Sequence, residues 1–243
     1  MKKILFKILF ILILGILGGM IFQVFILPFL MGIPYFQNFN FIKILTEKRM
    51  IVNPPPGTVI FQENDILQKS IEKVEKVVAG VSSQPKKGKI LEGSGLILTN
   101  DGSFVTLASL VPQGADINLF WEGEKISYQI LKKDFKADLA LIKFGKNNLN
   151  TASFADLGKI KLGQRVFLVG IIFSNGVPQK IVDEGIIQTI GGDSIGTNIF
   201  ENNKISGSPI FSIEGEVIGL GVVDDEGKVS VIPINKIREF AGL

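Results

Sequence analysis

The sequence NNKISGSPIFSIEGEVIGLGVV, residues 202–223, holds two apolar runs separated by the turn signal Glu-Gly-Glu at 214–216. Apolar residues alternate along these runs, as is typical of strands with one buried face. Ser206 stands just before the first run, followed by the small residues Gly207 and Ser208, and Pro209 comes three positions after it. The stretch therefore predicts two strands joined by a turn, and it raises the question whether Ser206 is a nucleophile.

From Val77 onward the chain consists of short β-rich runs with turn signals between them. Residues 93–111, GSGLILTNDGSFVTLASLV, contain two apolar runs joined by Asn-Asp-Gly at 100–102, which is a strong hairpin signal. Further strand candidates are DINLFWEG, SYQILKKD, DLALIKF, RVFLVGIIF, VDEGIIQTI, GSPIFSI, EVIGLGVV and VSVIPI. Many short strands without long helices between them predict an all-β domain over residues 63–243, built as two small barrels.

A short amphipathic helix is predicted at the start of this domain. Its apolar residues recur at helical spacing, and Asn64 or Asp65 is suited to cap its first turn; the apolar positions are Ile66, Leu67, Ile71, Val74 and Val78. Residues 34–62 before it show no sustained period and contain NPPPG at 53–57, so we expect a stiff, extended tether.

The N-terminus predicts a membrane anchor within residues 1–33. Lys2, Lys3 and Lys7 precede an uncharged run over residues 8–42, and its first part, ILFILILGILGGMIFQVFILPFL, is long enough as a helix to cross about 30 Å of hydrocarbon. A cleaved signal peptide is the alternative, but neither a short apolar core nor a cleavage site is clear. The basic start favours a cytoplasmic N-terminus and an extracytoplasmic main domain, although further basic residues at 43, 48 and 49 weaken the charge argument.

Composition excludes several classes of function. The 26 basic and 23 acidic side chains give a net charge of +3, which provides no case for a nucleic-acid partner. The chain has no cysteine, so it has neither disulfides nor thiolate metal sites. It also has no histidine, which removes the commonest general base and the imidazole metal ligands. We therefore expect no metal and no cofactor.

Five segments, in this order, resemble the trypsin-like serine proteases of the HtrA/Deg group over about residues 66–240. They are GSGLILTNDGSFVTLASLV, KADLALIKF, LGKIKLGQRVFLVGIIF, VDEGIIQTIGG and TNIFENNKISGSPIFSIEGEVIGL. The resemblance implies a trypsin-like double β-barrel that acts on polypeptides, with the nucleophile at Ser206 and the catalytic acid at Asp138. It also implies a homo-oligomer, a trimer, and we expect no PDZ domain after the final segment.

The same resemblance places the catalytic histidine of the family at Ser109. No other alignment restores the base, because the chain has no histidine. A serine hydroxyl does not accept a proton near neutral pH, so Ser109 is expected to be a small polar filler and Asp138 a structural carboxylate.

The turn that supplies the oxyanion donors in the family is changed as well. Lys204 replaces the glycine two residues before the nucleophile, Ile205 replaces an asparagine or aspartate, and Ser208 replaces the second glycine after it. Gly207 and Pro209 match the family. A side chain at Lys204 is expected to disfavour the backbone geometry that points its N–H at a substrate oxygen.

These changes predict a pseudoprotease that binds polypeptides or serves as a scaffold. The alternative is an active endopeptidase in extracytoplasmic protein quality control, which would use Ser206 with an unconventional base. Lys204 is the candidate base, but alternate residues of an extended segment face opposite sides, so a turn would be needed for the two side chains to meet. Ser194 in GGDSIG is interpreted as a loop residue, and Phe200 falls where related enzymes have the floor of the S1 pocket.

Overall fold

The computed structural model describes residues 2–22, 25 and 63–243. The chain divides into two compact units, Met1–Ile60 and Phe61–Leu243. In the first unit, helix α1 spans Lys2–Ile21. Across the described residues, no helix combines the length and the apolar character that a membrane crossing needs. The rest of the predicted anchor and the whole predicted tether lie outside the described residues.

The second unit begins with helix α2, Glu63–Val74, followed by a 3₁₀ turn at Glu75–Val77 and strand β1 at Val78–Gln84. The predicted helix is confirmed, but its predicted limits were wrong at both ends. It starts before Asn64, and Val78 is the first residue of a strand. Helical spacing continues through Val78 in the sequence, yet Val78 pairs with Leu96 across a β-ladder, and this long-range pairing overrides the local pattern.

The first half of the domain is a seven-stranded sheet in the order β5-β4-β1-β2-β3-β7-β6, which curves into a half-barrel. After β1, its strands are β2 (Leu91–Ile97), β3 (Ser103–Thr106), β4 (Asp116–Trp121), β5 (Glu124–Ile126), β6 (Tyr128–Asp134) and β7 (Leu139–Phe144). The hairpin predicted from Asn-Asp-Gly is confirmed, because β2 and β3 pair in antiparallel register around it. Gly102 adopts a φ of 96° at this turn, a conformation that glycine reaches without strain.

The second half is a closed barrel in the order β10-β13-β12-β11-β8-β9. Its strands are β8 (Arg165–Ser174), β9 (Val177–Ile190), β10 (Ile195–Phe200), β11 (Pro209–Ser212), β12 (Val217–Val223) and β13 (Lys228–Pro233), and helix α3 (Ile234–Ala241) follows. The opening stretch forms β11 and β12, which pair in antiparallel register as the sequence predicts. The predicted all-β, two-barrel architecture is therefore confirmed as one closed barrel and one half-barrel.

Apolar side chains from both halves form a common core between them, in which Phe167 and Phe211 stack with their ring centroids 5.4 Å apart. Ser94 of β2 joins the halves by hydrogen bonds. Its hydroxyl accepts from the Ile171 N–H at 2.7 Å, and its own N–H donates to the Ser206 carbonyl at 3.0 Å. Its carbonyl accepts from the hydroxyl of Thr106 at 2.6 Å. The backbone at Ser206 is thus fixed to the half-barrel.

Candidate active site

A cleft of about 380 Å³ brings together Ser109 and Asp138 from the half-barrel with Lys204 and Ser206 from the closed barrel. Glu92 on β2 also lines it, among apolar side chains that include Leu107 and Val222. A larger cleft of about 560 Å³ lies beside α3, but β6, β7 and α3 contribute most of its lining and Ser206 does not. The smaller cleft is therefore the candidate active site.

Ser109 and Asp138 form a closely bonded pair. Ser109 lies in the 3₁₀ turn Ala108–Leu110, from which its N–H donates to Asp138 Oδ1 at 2.7 Å and its hydroxyl donates to Oδ2 at 3.0 Å. Asp138 has a φ of 51°, a left-handed conformation that aspartate adopts more readily than most residues. Both carboxylate oxygens are thus engaged by the residue that stands at the base position.

The residues before Ser206 form a 3₁₀ turn at Asn203–Ile205. The Lys204 N–H donates to the side-chain oxygen of Asn202 at 3.0 Å, and the Ser208 N–H donates to the Ile205 carbonyl at 3.0 Å. The Lys204 amide, which stands at an oxyanion-donor position by alignment, is therefore already bound within the turn. A substrate oxygen would have to displace Asn202 to use it.

This turn also corrects the argument against a pair between Lys204 and Ser206. That argument assumed an extended segment, whereas the segment is turned and both residues line the cleft. The Lys204 ammonium is engaged elsewhere, because its Nζ lies 3.0 Å from Glu92 Oε2. The sequence interpretation missed Glu92, because the predicted run begins at Gly93, whereas β2 begins at Leu91. Its position two residues before Ser94, and hence on the same face of that strand, is the signal that points to it.

Gly207 and Ile205 are fixed by packing. Gly207 has a φ of 80°, and a Cβ there would lie 2.3 Å from the Ser94 carbonyl oxygen, so any side chain is excluded. Ile205 is fully buried in the core of the closed barrel. Of the predicted oxyanion-turn residues, Lys204 lines the cleft and Ile205 serves the core.

Ser208 is fully buried, and among the described residues its hydroxyl has no hydrogen-bond partner. It lies against Gly170, where an added Cβ would be 2.5 Å from the Ser208 Oγ. An unpartnered buried hydroxyl is unfavourable by about 1–3 kcal/mol. The residue that replaces the family glycine here therefore destabilises the closed barrel behind the cleft.

Phe200 and Ser194 lie apart from the residues that line the cleft. Phe200 ends β10 with its side chain 62% exposed, and its role as the floor of a specificity pocket stays a prediction. Ser194 lies in the exposed connection between β9 and β10, where its carbonyl accepts from the Gly191 N–H at 2.9 Å.

The model of the trypsin-like peptidase domain family matches residues 93–220, a range that includes Ser109, Asp138 and Ser206. A probable periplasmic serine endoprotease DegP-like of Halomonas elongata is 34% identical over 136 residues, which are 53% of this chain and 28% of that protein. Serine protease HTRA1 of Xenopus laevis is 31% identical over 163 residues, 61% of this chain and 35% of that protein.

A further relative, the probable DegP-like endoprotease of Chlamydia pneumoniae, is 27% identical over 207 residues, 80% of this chain and 42% of that protein. The chain thus spans less than half the length of each of these relatives. With the two-barrel fold, the cleft between its halves and the matched range of residues, the chain belongs to the trypsin-like peptidase domain family, as a domain of the HtrA-type serine proteases.

Proposed function

We propose that this chain is a membrane-anchored, HtrA-type domain that binds polypeptides and does not cleave them. The observation that carries the proposal is the pairing of Ser109 with Asp138, in which the residue at the base position donates to both oxygens of the acid. In an active triad the acid orients a base, and the base takes the proton of the nucleophile. Here the acid orients a hydroxyl that does not accept a proton near neutral pH.

The size of the expected loss of turnover supports a binding function. Removing the histidine of a serine-protease triad lowers turnover about a million-fold, and the residual catalysis comes from substrate binding and the oxyanion hole. In this chain the residual catalysis should also be reduced, because the Lys204 amide is bound to the side chain of Asn202. The cleft itself persists, lined by apolar side chains together with a few polar and charged ones.

A competing function is a serine endopeptidase with Lys204 as the base, and it is favoured by one observation, that Lys204 and Ser206 line the same cleft. The ion pair with Glu92 argues against this function. A general base needs a lone pair to accept the Ser206 proton, and an ammonium bound to a carboxylate has none.

Reaction with a fluorophosphonate probe distinguishes the two functions. The full chain, purified in a mild detergent, is incubated with the probe and digested for mass spectrometry, with Ser206→Ala as the control. We expect no adduct at Ser206, and we expect the chain to retain casein on an affinity column without shortening it. An adduct at Ser206, or casein cleavage that Ser206→Ala abolishes, would replace the binding function by the peptidase.

The membrane anchor, an extracytoplasmic domain and a homotrimer are part of the same proposal. The basic start and the uncharged run at 8–42 support the anchor and its orientation. The similarity to the probable periplasmic endoprotease of Halomonas elongata supports a periplasmic setting. We expect the full chain to stay with the membrane fraction in alkaline carbonate and to be released by detergent. Release by carbonate alone would argue against an anchor.

A further inference from the structure

Glu92 places a carboxylate in the wall of the cleft. Its side chain is only 15% exposed, and it projects from β2, where its backbone pairs with Ser82 of β1. A carboxylate withdrawn from water to this degree needs a partner of opposite charge. In the structure that partner is the Lys204 ammonium at 3.0 Å.

The two members of this ion pair are held unequally. Glu92 lies on a strand, paired there with β1, and its side chain is shorter than that of lysine. Lys204 has a long side chain that is 58% exposed, on a turn between strands. When a ligand enters the cleft, the ammonium is therefore the partner that can leave, while the carboxylate stays in place.

The charge of the cleft favours a cation over an anion. Three charged side chains line it in the described structure, the carboxylates of Glu92 and Asp138 and the ammonium of Lys204, which leaves one excess negative charge. Apolar side chains, among them Ile90, Leu110 and Val222, provide a surface for the methylene stem of a long basic side chain.

We infer that the cleft selects a polypeptide segment with a basic side chain, arginine above all, whose cation replaces Lys204 on Glu92. This inference rests on the proposed binding function and names its ligand class. Arginine is favoured over lysine because a guanidinium binds a carboxylate through two parallel hydrogen bonds. In the free protein Lys204 competes for Glu92, so it lowers the apparent affinity for such a ligand.

Three pentapeptides that differ only in their central residue test the inference. They carry arginine, norleucine or glutamate between valine and alanine neighbours, with blocked ends and a dye of no net charge. Fluorescence anisotropy with the full chain in detergent gives their affinities. A charge-assisted hydrogen bond in the cleft corresponds to about a tenfold preference for the arginine peptide over the norleucine peptide. The preference should fall as salt is raised.

Variants assign the preference to the ion pair. Glu92→Gln should reduce the preference to less than about twofold, whereas the matched control Glu124→Gln should retain it, since Glu124 pairs with Lys146 outside the cleft. Lys204→Met should strengthen binding of the arginine peptide by about threefold, because it removes the internal competitor. Circular dichroism establishes that each variant is folded; should Glu92→Gln unfold, the Lys204→Met result decides alone.

Each remaining outcome overturns at least one of the two proposals. Equal binding of all three peptides, or a preference for arginine that survives in folded Glu92→Gln, overturns the inference and leaves the binding function in place. A preference for the glutamate peptide that Lys204→Met abolishes overturns it in favour of an anionic ligand. Binding of none of the peptides overturns the binding function and the inference with it.

Discussion

The half-barrel wall of the cleft and the closed-barrel wall, together with the residues directly behind each, differ in how their polar groups are partnered. In the half-barrel, Ser109 satisfies both oxygens of Asp138 with two hydrogen bonds. In the closed barrel, Ser208 has a buried hydroxyl without a partner among the described residues, and the Lys204 amide depends on the side chain of Asn202. The substitution in the half-barrel forms a stabilising pair of hydrogen bonds, whereas the substitution at Ser208 in the closed barrel lowers the stability of the fold.

The difference shows two ways in which an active site departs from catalysis. One small residue in place of the base converts the acid into a structural group, and reversing it takes a single substitution. The donor turn of the closed barrel has changed at several positions that also serve the core, so its reversal conflicts with packing. Five predictions test this contrast.

The largest effect is expected from rebuilding both walls together. Ser109→His with Lys204→Gly and Ser208→Gly should raise the rate of fluorophosphonate labelling at Ser206 by at least about a thousandfold, because base and oxyanion donors act as a unit. Ser109→His alone should remain near the unmodified rate. Mass spectrometry of the labelled peptide gives the site, and labelling at Ser194 instead, or an inert but folded triple variant, would mean that the two walls are not the obstacle.

The structure also determines which substitution to leave out. Ile205→Asn would complete the family pattern, but Ile205 is fully buried in the core of the closed barrel. Burying an amide in its place should cost about 2–4 kcal/mol of unfolding free energy. Adding Ile205→Asn to the triple variant should therefore lower its stability in urea without increasing the labelling rate.

The next largest effect concerns the backbone behind the nucleophile. Gly207→Ala should lower the free energy of unfolding by about 3 kcal/mol, because its Cβ would lie 2.3 Å from the Ser94 carbonyl oxygen. Gly163→Ala is the matched control: Gly163 has a similar φ of 77°, and no described atom lies within 4 Å of its added Cβ. The control should cost only about 1 kcal/mol. Equal losses in urea unfolding would show that φ alone requires glycine at 207.

Substitutions of Asp138 test whether its hydrogen bonds with Ser109 stabilise the half-barrel side of the cleft. Asp138→Ala removes both acceptors of Ser109 and should cost about 2 kcal/mol of unfolding free energy. Asp138→Asn retains one acceptor and suits the left-handed conformation, so it should cost less than about 1 kcal/mol. Urea unfolding of both variants measures the difference. A larger loss for asparagine than for alanine would contradict a mainly hydrogen-bonded role.

The smallest effect has the opposite sign. Ser208→Ala removes an unpartnered buried hydroxyl and should stabilise the domain by about 1 kcal/mol. Ser83→Ala, also at a fully buried serine, should destabilise it by about 1 kcal/mol, since the Ser83 hydroxyl donates to the Leu110 carbonyl at 2.6 Å. Melting temperatures that fall for both variants would show that the Ser208 hydroxyl has a partner in solution.

Much of the fold was predictable because the sequence patterns that identify its strands and turns are local. The Asn-Asp-Gly turn and the alternating runs around it identify β2 and β3, and the resemblance to a protease family brought Ser109, Asp138 and Ser206 into one cleft. Strand β1 was obscured because its first residue continues a helical spacing. Strand β5 has only three residues, which is too short for a periodic signal.

The chemistry of the cleft was less predictable because it depends on contacts between distant segments. Nothing local to Lys204 identifies Glu92 as its partner, and the two meet only after β2 and the turn before Ser206 are folded together. The lack of a partner for Ser208 likewise follows from Gly170 and the strands that enclose it, within the described structure. Motifs gave the positions of these residues, but not their partners.

Ser94, which bonds to Ile171 and to Ser206, also determines how the cleft can move. A clamshell opening of the two halves would break the bonds at 2.7 Å and 3.0 Å together, and both involve Ser94, which is fully buried. Deuterium exchange at the amides of Ser94 and Ile171 should therefore be as slow as at the most protected core amides. The width of the cleft is then fixed by the fold. A polypeptide therefore has to enter the cleft along its length, because the two halves do not separate to admit it.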